Sequence, residues 1–346
     1  MSIPYRTRRS LKTFFVTVLV LILVAVMGLL GWLIWLNRYV VYSRDGAKLD
    51  FSLNLDFGPG VKPVPPEPGE TVQVHDKVDP NDPELIQKEL VRFSGYYVTL
   101  EDLTGDFDAV AQQLSQLPRG STVLLELKDV RGYVYYSSEY GKQSKDFDSK
   151  KVDQLLKDLK SWGHYVIVKI PAFQEYHFFM DDERGRVPYG LPKTGGNGSL
   201  WLDRSGPCYW LNPASDGTLT YLIQLVTQLR SMGVDEVVFS DFRFPETDQI
   251  RFEGDKDQAL NDCATTLVKT CATDRFCVSF ERTQADLTLP EGRTRLYLTG
   301  VSAADAATQA GKTDFADPSV QVVFLTELSD TRYDDYCVLR PLGSAH

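Results

Sequence analysis

Histidine is scarce in this chain, with only His75, His164, His177 and His346 among 346 residues. No Gly-x-Ser-x-Gly elbow accompanies them, so a serine or cysteine nucleophile served by a histidine base finds little support. No histidine pair or acid-rich loop has the spacing of metal ligands, and neither a metal nor another cofactor is expected. The five cysteines, Cys208, Cys263, Cys271, Cys277 and Cys337, are an odd number without CxxC spacing. That pattern argues against a zinc site or a dense disulfide framework, and they read as buried thiols. A single bridge stays open, but Cys263 with Cys271 is disfavoured because eight residues of helix would part them by about 12 Å. Positive charge is also in short supply, 37 Lys and Arg against 47 Asp and Glu. Nucleic acid or another anionic polymer is therefore not expected as the main partner. Gly195-Gly196-Asn197-Gly198 is a flexible tip, not a phosphate loop, because no helix opening on Lys-Ser/Thr follows it.

What is present is enough apolar and aromatic residue, 43% and 12%, to build a large core. Phe14 to Leu36 is an uncharged apolar run of 23 residues, about 34 Å as a helix against a bilayer core of about 30 Å. It is too long for the apolar region of a cleaved leader and lacks a small-x-small site, so it is expected to span a membrane. Trp32 and Trp35 sit at its far end, and Arg6, Arg8, Arg9 and Lys12 precede it. The positive-inside rule then puts the N-terminus in the cytoplasm and the main domain outside, with the lipid bilayer as a partner of this helix. Without those four basic residues, 33 Lys and Arg face 47 Asp and Glu, so the exported part carries a formal charge of −14.

The expected organisation is a basic tail (1–13), the membrane helix (14–36), a juxtamembrane hairpin (37–58), a spacer (59–83) and one large domain (84–346). Tyr39–Tyr42 and Leu49–Leu53 flank Asp45-Gly46, a tight-turn signal. Seven prolines between Pro59 and Pro83 favour an extended, semi-rigid spacer. Beyond it, strand-like and helix-like stretches alternate, the pattern of an α/β protein with a parallel sheet. The strands are read at Gly95–Leu100, Thr122–Lys128, His164–Ile170, around Val237, Phe276–Glu281, Arg295–Thr299, Val320–Thr326 and Tyr336–Arg340. Helices are read at Phe107–Leu117, Phe147–Trp162, Thr218–Ser231 and Gln258–Thr270, with Gly163 and Gly233 closing the second and third. Eight strands over about 250 residues fit a (β/α)8 TIM barrel. Too little chain separates strands five and six, and seven and eight, for full crossover helices, so an irregular second half is expected.

The most informative segment is Asp235–Glu246, DEVVFSDFRFPE. Its Val-Val-Phe run suits a strand covered on both faces, and Asp241 and Arg243 follow at the C-terminal end, where barrel enzymes carry their chemistry. A salt-bridged strand end that merely closes a loop is the alternative for this pair.

These and other blocks resemble a family of uncharacterised bacterial glycoside hydrolases of TIM-barrel type, often membrane-anchored. The resemblance runs from about Gly95 to Phe252. It is carried by Gly95-Tyr96-Tyr97-Val98-Thr99, by Leu124–Asp129 with Gly132-Tyr133-Val134, and by Val166–Ile170. It continues through Leu200–Gly206, Trp210-Leu211-Asn212-Pro213 and Phe239–Pro245. The family usually has aspartate where Ser240 stands, whereas here Asp241 follows one residue later. A one-residue displacement in a strand turns a side chain to the other face. Related barrels carry a second acid at that later position, which implies a shift of duty. Glu126 and Lys169 replace the family's aspartate and arginine with charge kept. The late Met-Val-Tyr-Pro type motif is replaced by Leu296-Tyr297-Leu298-Thr299-Gly300, so no catalytic partner carries over from there.

The resemblance implies hydrolysis of a polysaccharide or other glycan by two carboxyl groups, spaced about 5–5.5 Å for retention or about 6.5–9.5 Å for inversion. Asp241 is the first choice, with Glu126, Asp129 or Glu281 as its partner. Glu126 and Lys128 share strand parity, so a Glu-Lys pair filling the barrel is the competing role for them. For Asp129 it is an ordinary turn residue. Arg243 and Lys169 could lower a neighbouring carboxylate's pKa or hold an acidic sugar. Lys128 and Tyr133 complete the expected substrate contacts beside the aromatics of the 173–210 insertion, His177, Trp201 and Trp210 among them. Half of those aromatics are expected to be the loop's own small core. The competing function is a non-catalytic carbohydrate-binding or cell-envelope scaffold protein on a degenerate barrel, favoured by Ser240 and the shortened second half.

Overall fold

The computed structural model describes residues 40–43, 46–49 and 90–343, apart from 178–188, 197–198 and 205. The chain divides into two compact units, residues 1–78 and 79–346. In the first, Val40–Ser43 pairs antiparallel with Gly46–Leu49, in register Val40 to Leu49 and Ser43 to Gly46. A hairpin thus forms where one was expected, but Gly46 belongs to its second strand, which ends at Leu49 and does not begin there. The expected membrane helix and proline-rich spacer lie outside the described residues. Among the described residues no helix is long and apolar enough to cross a membrane.

The second unit is a closed, all-parallel barrel of eight strands in sequential order. These are β1 (Ser94–Val98), β2 (Thr122–Glu126), β3 (Tyr165–Pro171), β4 (Glu236–Ser240), β5 (Cys277–Arg282), β6 (Leu296–Thr299), β7 (Val322–Leu325) and β8 (Cys337–Pro341). Each of the seven read with bounds begins and ends within two residues of its expected position, β2 stopping at Glu126 short of Lys128, and β4 covers the expected Val237. Alternation along the strands divides two cores. Leu124, Ile167, Val238, Tyr297, Val323 and Leu339 fill the lumen. Val123, Leu125, Val166, Val168, Val237, Phe239, Val278 and Phe280 pack outward.

The outer layer against the first five strands is helical: α1 (Leu100–Gly105), α2 (Phe107–Ser115), α3 (Ser149–Ser161), α4 (Asp216–Ser231) and α5 (Lys256–Cys271). Acceptors set their starts: Thr99, Asp106, Asp148 and Asp255 each accept from a backbone N–H in the first turn of α1, α2, α3 and α5. Gly163 and Gly233 follow α3 and α4 with φ of 82° and 88°, the left-handed exit glycine tolerates. No helix lies between β5 and β6, and only a 3-10 turn at Thr331–Tyr333 lies between β7 and β8. The two helices between β6 and β7, α6 (Ala306–Ala310) and α7 (Pro318–Gln321), are short. The second half is therefore irregular in the manner its short connections require.

A buried ionic plug closes the lower end of the lumen, where strands begin. Glu236 is wholly buried and Arg295 is 2% exposed, with Nη1 to Oε2 at 2.5 Å. Glu236 also accepts from Ser279 Oγ (2.6 Å), Tyr165 Oη (2.9 Å) and Tyr297 Oη (2.9 Å). Arg295 donates through Nε to Val320 O at 2.9 Å and lies over the ring of Phe93. Every strong acceptor position of the carboxylate is filled, which is the condition for tolerating a charge at this depth.

All five cysteines are free and buried. Burial pushes the Cys208, Cys263 and Cys277 thiols up to about 12 and Cys271 to about 11, so none is poised as a nucleophile.

Candidate active site

The upper ends of β2 to β5 bring all four expected carboxylates to one pocket of about 290 Å³, lined by Glu126, Asp129, Asp241 and Glu281 together with Lys128, Lys169 and Ser240. Glu126 ends β2, Lys169 is the fifth residue of β3, and the two are cross-strand neighbours in register. The Lys169 ammonium meets Glu126 Oε1 at 3.1 Å and Glu281 Oε2 at 2.5 Å. Those two oxygens can therefore be no farther apart than both distances laid end to end, about 5.6 Å. Glu126 accepts a second bond through Oε2 from Leu100 N–H at 3.0 Å, in the first turn of α1.

Glu281 stands on β5 with its side chain 13% exposed. Its pKa is raised, first by burial, with Lys169 pulling it back and the charges of Asp241 and Glu126 adding to the rise. Lys169 is also held above its ordinary value: burial lowers it, but Glu281 and Glu126 together more than reverse that. Tyr97, in β1 and facing the lumen, has its phenol pushed up mainly by burial, with Glu126 and Lys169 within electrostatic reach. Its parity with Gly95 was the available sign that it belongs to the mouth.

Asp241 is not a strand residue. β4 ends at Ser240, whose side chain keeps the lumen parity of Glu236 and Val238, and Asp241 follows with φ of +49°. It is the only residue other than glycine with positive φ among the described residues. Alternation stops at this kink, so the one-residue displacement does not carry the carboxylate into the helix layer; Asp241 lines the pocket beside Ser240. Aspartate is among the side chains that tolerate this conformation best, yet it still costs on the order of 1 kcal/mol or more. Phe242 holds the kink in place. It is fully buried, with ring centroids 4.9 Å from Phe173 and 4.5 Å from Phe280. Its carbonyl accepts from Arg282 Nη1 at 2.5 Å, while Arg282 grips Asp286 through Nε at 2.8 Å and Nη2 at 2.7 Å. Arg243 stands 3.6 Å from Asp241 and 3.8 Å from Glu246, over the ring of Trp210.

Other expected contacts are placed differently. Lys128 is not Glu126's partner: its fully buried side chain pairs with Glu175 Oε1 at 3.0 Å and donates to Pro171 O and Gln174 O. It lines the pocket with its ammonium already engaged by one carboxylate and two carbonyls. Asp129 Oδ1 accepts from the N–H groups of Arg131 (3.0 Å) and Tyr133 (2.8 Å), so it does organise a turn, on the pocket rim. None of Tyr133, His177, Trp201 or Trp210 lines the carboxylate pocket. Tyr133 packs on His177, ring centroids 3.9 Å apart. Trp201 donates to Gln249 Oε1 at 3.3 Å. Trp210, 1% exposed, donates to Asp203 Oδ2 at 3.2 Å within the small antiparallel sheet of Gln174–Glu175, Cys208–Trp210 and Leu202–Asp203. Trp210 thus joins the large core between the barrel strands and the outer helices. Among the described residues no group of three or more His, Cys, Asp or Glu is arranged to hold a metal ion.

Gly132 shows how closely this region is packed. Its φ is +89°, and a Cβ there would run into the Glu175 carboxylate. Gly132→Ala is expected to cost about 1–3 kcal/mol, read as a fall in thermal midpoint; an unchanged midpoint would contradict this close approach.

Two carboxyl groups meeting at one open pocket, one largely buried with a raised pKa and one half-exposed, form an arrangement able to protonate a leaving group and to attack or activate water. Comparison with solved structures places the fold. The chain aligns with α-L-fucosidase isoenzyme 2 from Paenibacillus thiaminolyticus at TM-score 0.52 and 12% identity, over 74% of this chain and 47% of the fucosidase. It thus spans about half the length of that enzyme. It also aligns with the Thermus thermophilus α-galactosidase TtGalA in complex with stachyose (TM-score 0.49, 10% identity, 74% of this chain and 62% of that one). A hypothetical protein from Ruminiclostridium thermocellum aligns at TM-score 0.44 and 20% identity, over 54% of this chain and 96% of that one. No curated protein sequence matches. A family profile described as "Putative glycosyl hydrolase domain" matches residues 96–276, more than half of the chain, and the protein belongs to that family.

Proposed function

We propose that the protein hydrolyses glycosidic bonds of a polysaccharide, with Glu281 as general acid and Asp241 as nucleophile or base. The observation that carries this reading is the pairing of a largely buried, raised-pKa carboxyl, 13% exposed, with a half-exposed carboxylate in one pocket at the C-terminal end of a barrel. Glu281 gives its proton to the departing oxygen as the bond to the anomeric carbon breaks. Asp241 attacks that carbon or activates the water that does. Water supplies the new hydroxyl, and a proton returns to Glu281, so one water is consumed per bond. Glu126 is better suited to support than to chemistry, since Lys169 lies between it and Glu281 and blocks the space a scissile bond would need. The apolar run 14–36 and the basic residues before it support an anchored protein with the barrel on the outer side of the membrane, where envelope glycans are found.

The test is release of new reducing ends from a panel of polysaccharides by the full chain; release is expected. Retention of polysaccharide without release would favour the second reading, a glycan-binding protein, to which the clamped position of Lys169 lends support.

Lys169 also sets a pH prediction. Its ammonium favours ionised Glu281 and so lowers that pKa. Lys169→Met removes this pull and leaves Glu126 facing Glu281, and both changes raise the Glu281 pKa further. Glu281 then keeps its proton to higher pH, so the alkaline limb of the kcat/KM profile is expected to move upward. A limb that stays put or moves down would argue against Glu281 as the acid.

A further inference from the structure

The carboxylate pocket does not end at Asp241 and Glu281. A second hollow of about 360 Å³ begins beside them and runs between the loops after β4 and β5, past Arg243 and Arg282 to Lys256 and Thr299. Asp241 and Glu281 are the two residues that line both. Each lobe lies near the lower end of the roughly 300–1,000 Å³ range of ligand pockets. The carboxyl groups thus stand at the junction of two lobes, not at the bottom of one.

The charges of the two lobes are unevenly matched. Lys169 is held between Glu126 and Glu281 with its side chain 14% exposed, and Lys128 is sealed against Glu175. Arg282 is engaged by Asp286 and the Phe242 carbonyl. Arg243 is shared between Asp241 and Glu246. Among the described residues, Lys256 is the lining cation without a carboxylate contact, and it lies over the Phe244 ring in a lobe that Glu246 and Asp257 also line. Asp129 brings a further carboxylate to the first lobe, bonded through Oδ1 to two backbone N–H groups and, among the described residues, to no cation. A carboxylate, sulfate or phosphate group entering this cleft would meet carboxylates whose counter-ions are already taken. A sugar hydroxyl or ammonium would find acceptors.

We infer that the substrate is a glycan chain free of anionic groups, neutral or amine-bearing, threaded across both lobes so that the Asp241 and Glu281 junction meets an internal bond. This rests on the glycan reading of the site given above. It also removes the expected role of Lys169 and Arg243 as holders of an acidic sugar.

The experiment measures binding of length-matched neutral, amine-bearing and uronic-acid oligosaccharides to the full-length Asp241→Asn protein. In parallel, the wild-type chain is incubated with an end-labelled neutral hexasaccharide. Uronic-acid oligomers are expected to bind at least about tenfold more weakly than neutral ones at low salt, with the gap closing as salt screens the cleft. Glu246→Gln combined with Asp257→Asn should narrow the gap as well. Products of two or more sugars on each side of the cut are expected. Uronic-acid binding equal to or tighter than neutral binding, or release of monosaccharide alone from one end, would overturn the inference. If neutral chains bind preferentially but none is cut, the hydrolytic reading fails while the substrate class stands. If no oligosaccharide binds, both fall.

Discussion

Asp241→Asn is expected to lower kcat/KM by about 10²–10⁴-fold, the range associated with losing a positioned acid–base group, while leaving the thermal midpoint nearly unchanged. Asparagine shares the tolerance of aspartate for the left-handed conformation at φ +49°, so the kink after β4 survives the change. The side chain is half-exposed and its contact with Arg243 is long, 3.6 Å, so little folding energy depends on its charge. Alanine would be the poorer probe, because a strained backbone could move the loop and confuse position with chemistry. A variant that folds normally and keeps activity would remove Asp241 from the reaction, whatever its place in the pocket.

Glu236→Gln is expected to produce the largest loss of stability, about 3–5 kcal/mol, because it leaves the Arg295 charge buried without its counter-ion. For a domain of this size that is a fall in midpoint of roughly 6–20 °C. Tyr165 and Tyr297 have phenols pushed well above their ordinary range by burial and by Glu236, so they remain donors, and the glutamine NH2 would face donors where one carboxylate oxygen had accepted. Replacing both ions, Glu236→Met with Arg295→Met, should cost less than the single change, since no charge is stranded. Differential scanning calorimetry of the three proteins checks this; a single variant as stable as the parent would mean the plug is not what closes the barrel. Because the plug lies at the lower end of the strands, activity of the surviving folded fraction should be largely retained.

The barrel was legible because each strand is short, apolar and bounded by turn residues, and the scant chain after Glu281 and after Thr326 announced where helices would be missing. The ionic plug was not. Glu236 stands beside Asp235 in a strand start that reads as an ordinary charged turn, and its partner Arg295 is 59 residues away. The parity of Glu236 with Val238 and Ser240 was the only sign that its side chain enters the lumen. The four carboxylates of the mouth were legible individually from their positions at strand ends. Their roles were not, because these depend on Lys169 reaching across the lumen to Glu281. Strand alternation does not govern Asp241, the first choice among the acids, since that rule holds only while the chain remains extended, and the strand ends one residue earlier. The aromatics of the insertion suggested sugar stacking by composition alone, which does not separate an exposed ring from Trp210 packed under Arg243.

The division of labour between Glu281 and Asp241 is tested most directly by the leaving group. Full-length wild type, Glu281→Gln and Asp241→Asn are to be compared on a natural oligosaccharide and on its nitrophenyl glycoside, whose phenolate departs without protonation. Glu281→Gln should fail on the oligosaccharide yet come within about tenfold of wild type on the nitrophenyl glycoside, because only the acid's step has been removed, whereas Asp241→Asn should fail on both. Equal losses for the two variants on both substrates, or cleavage of neither substrate by the wild-type chain, would contradict the account.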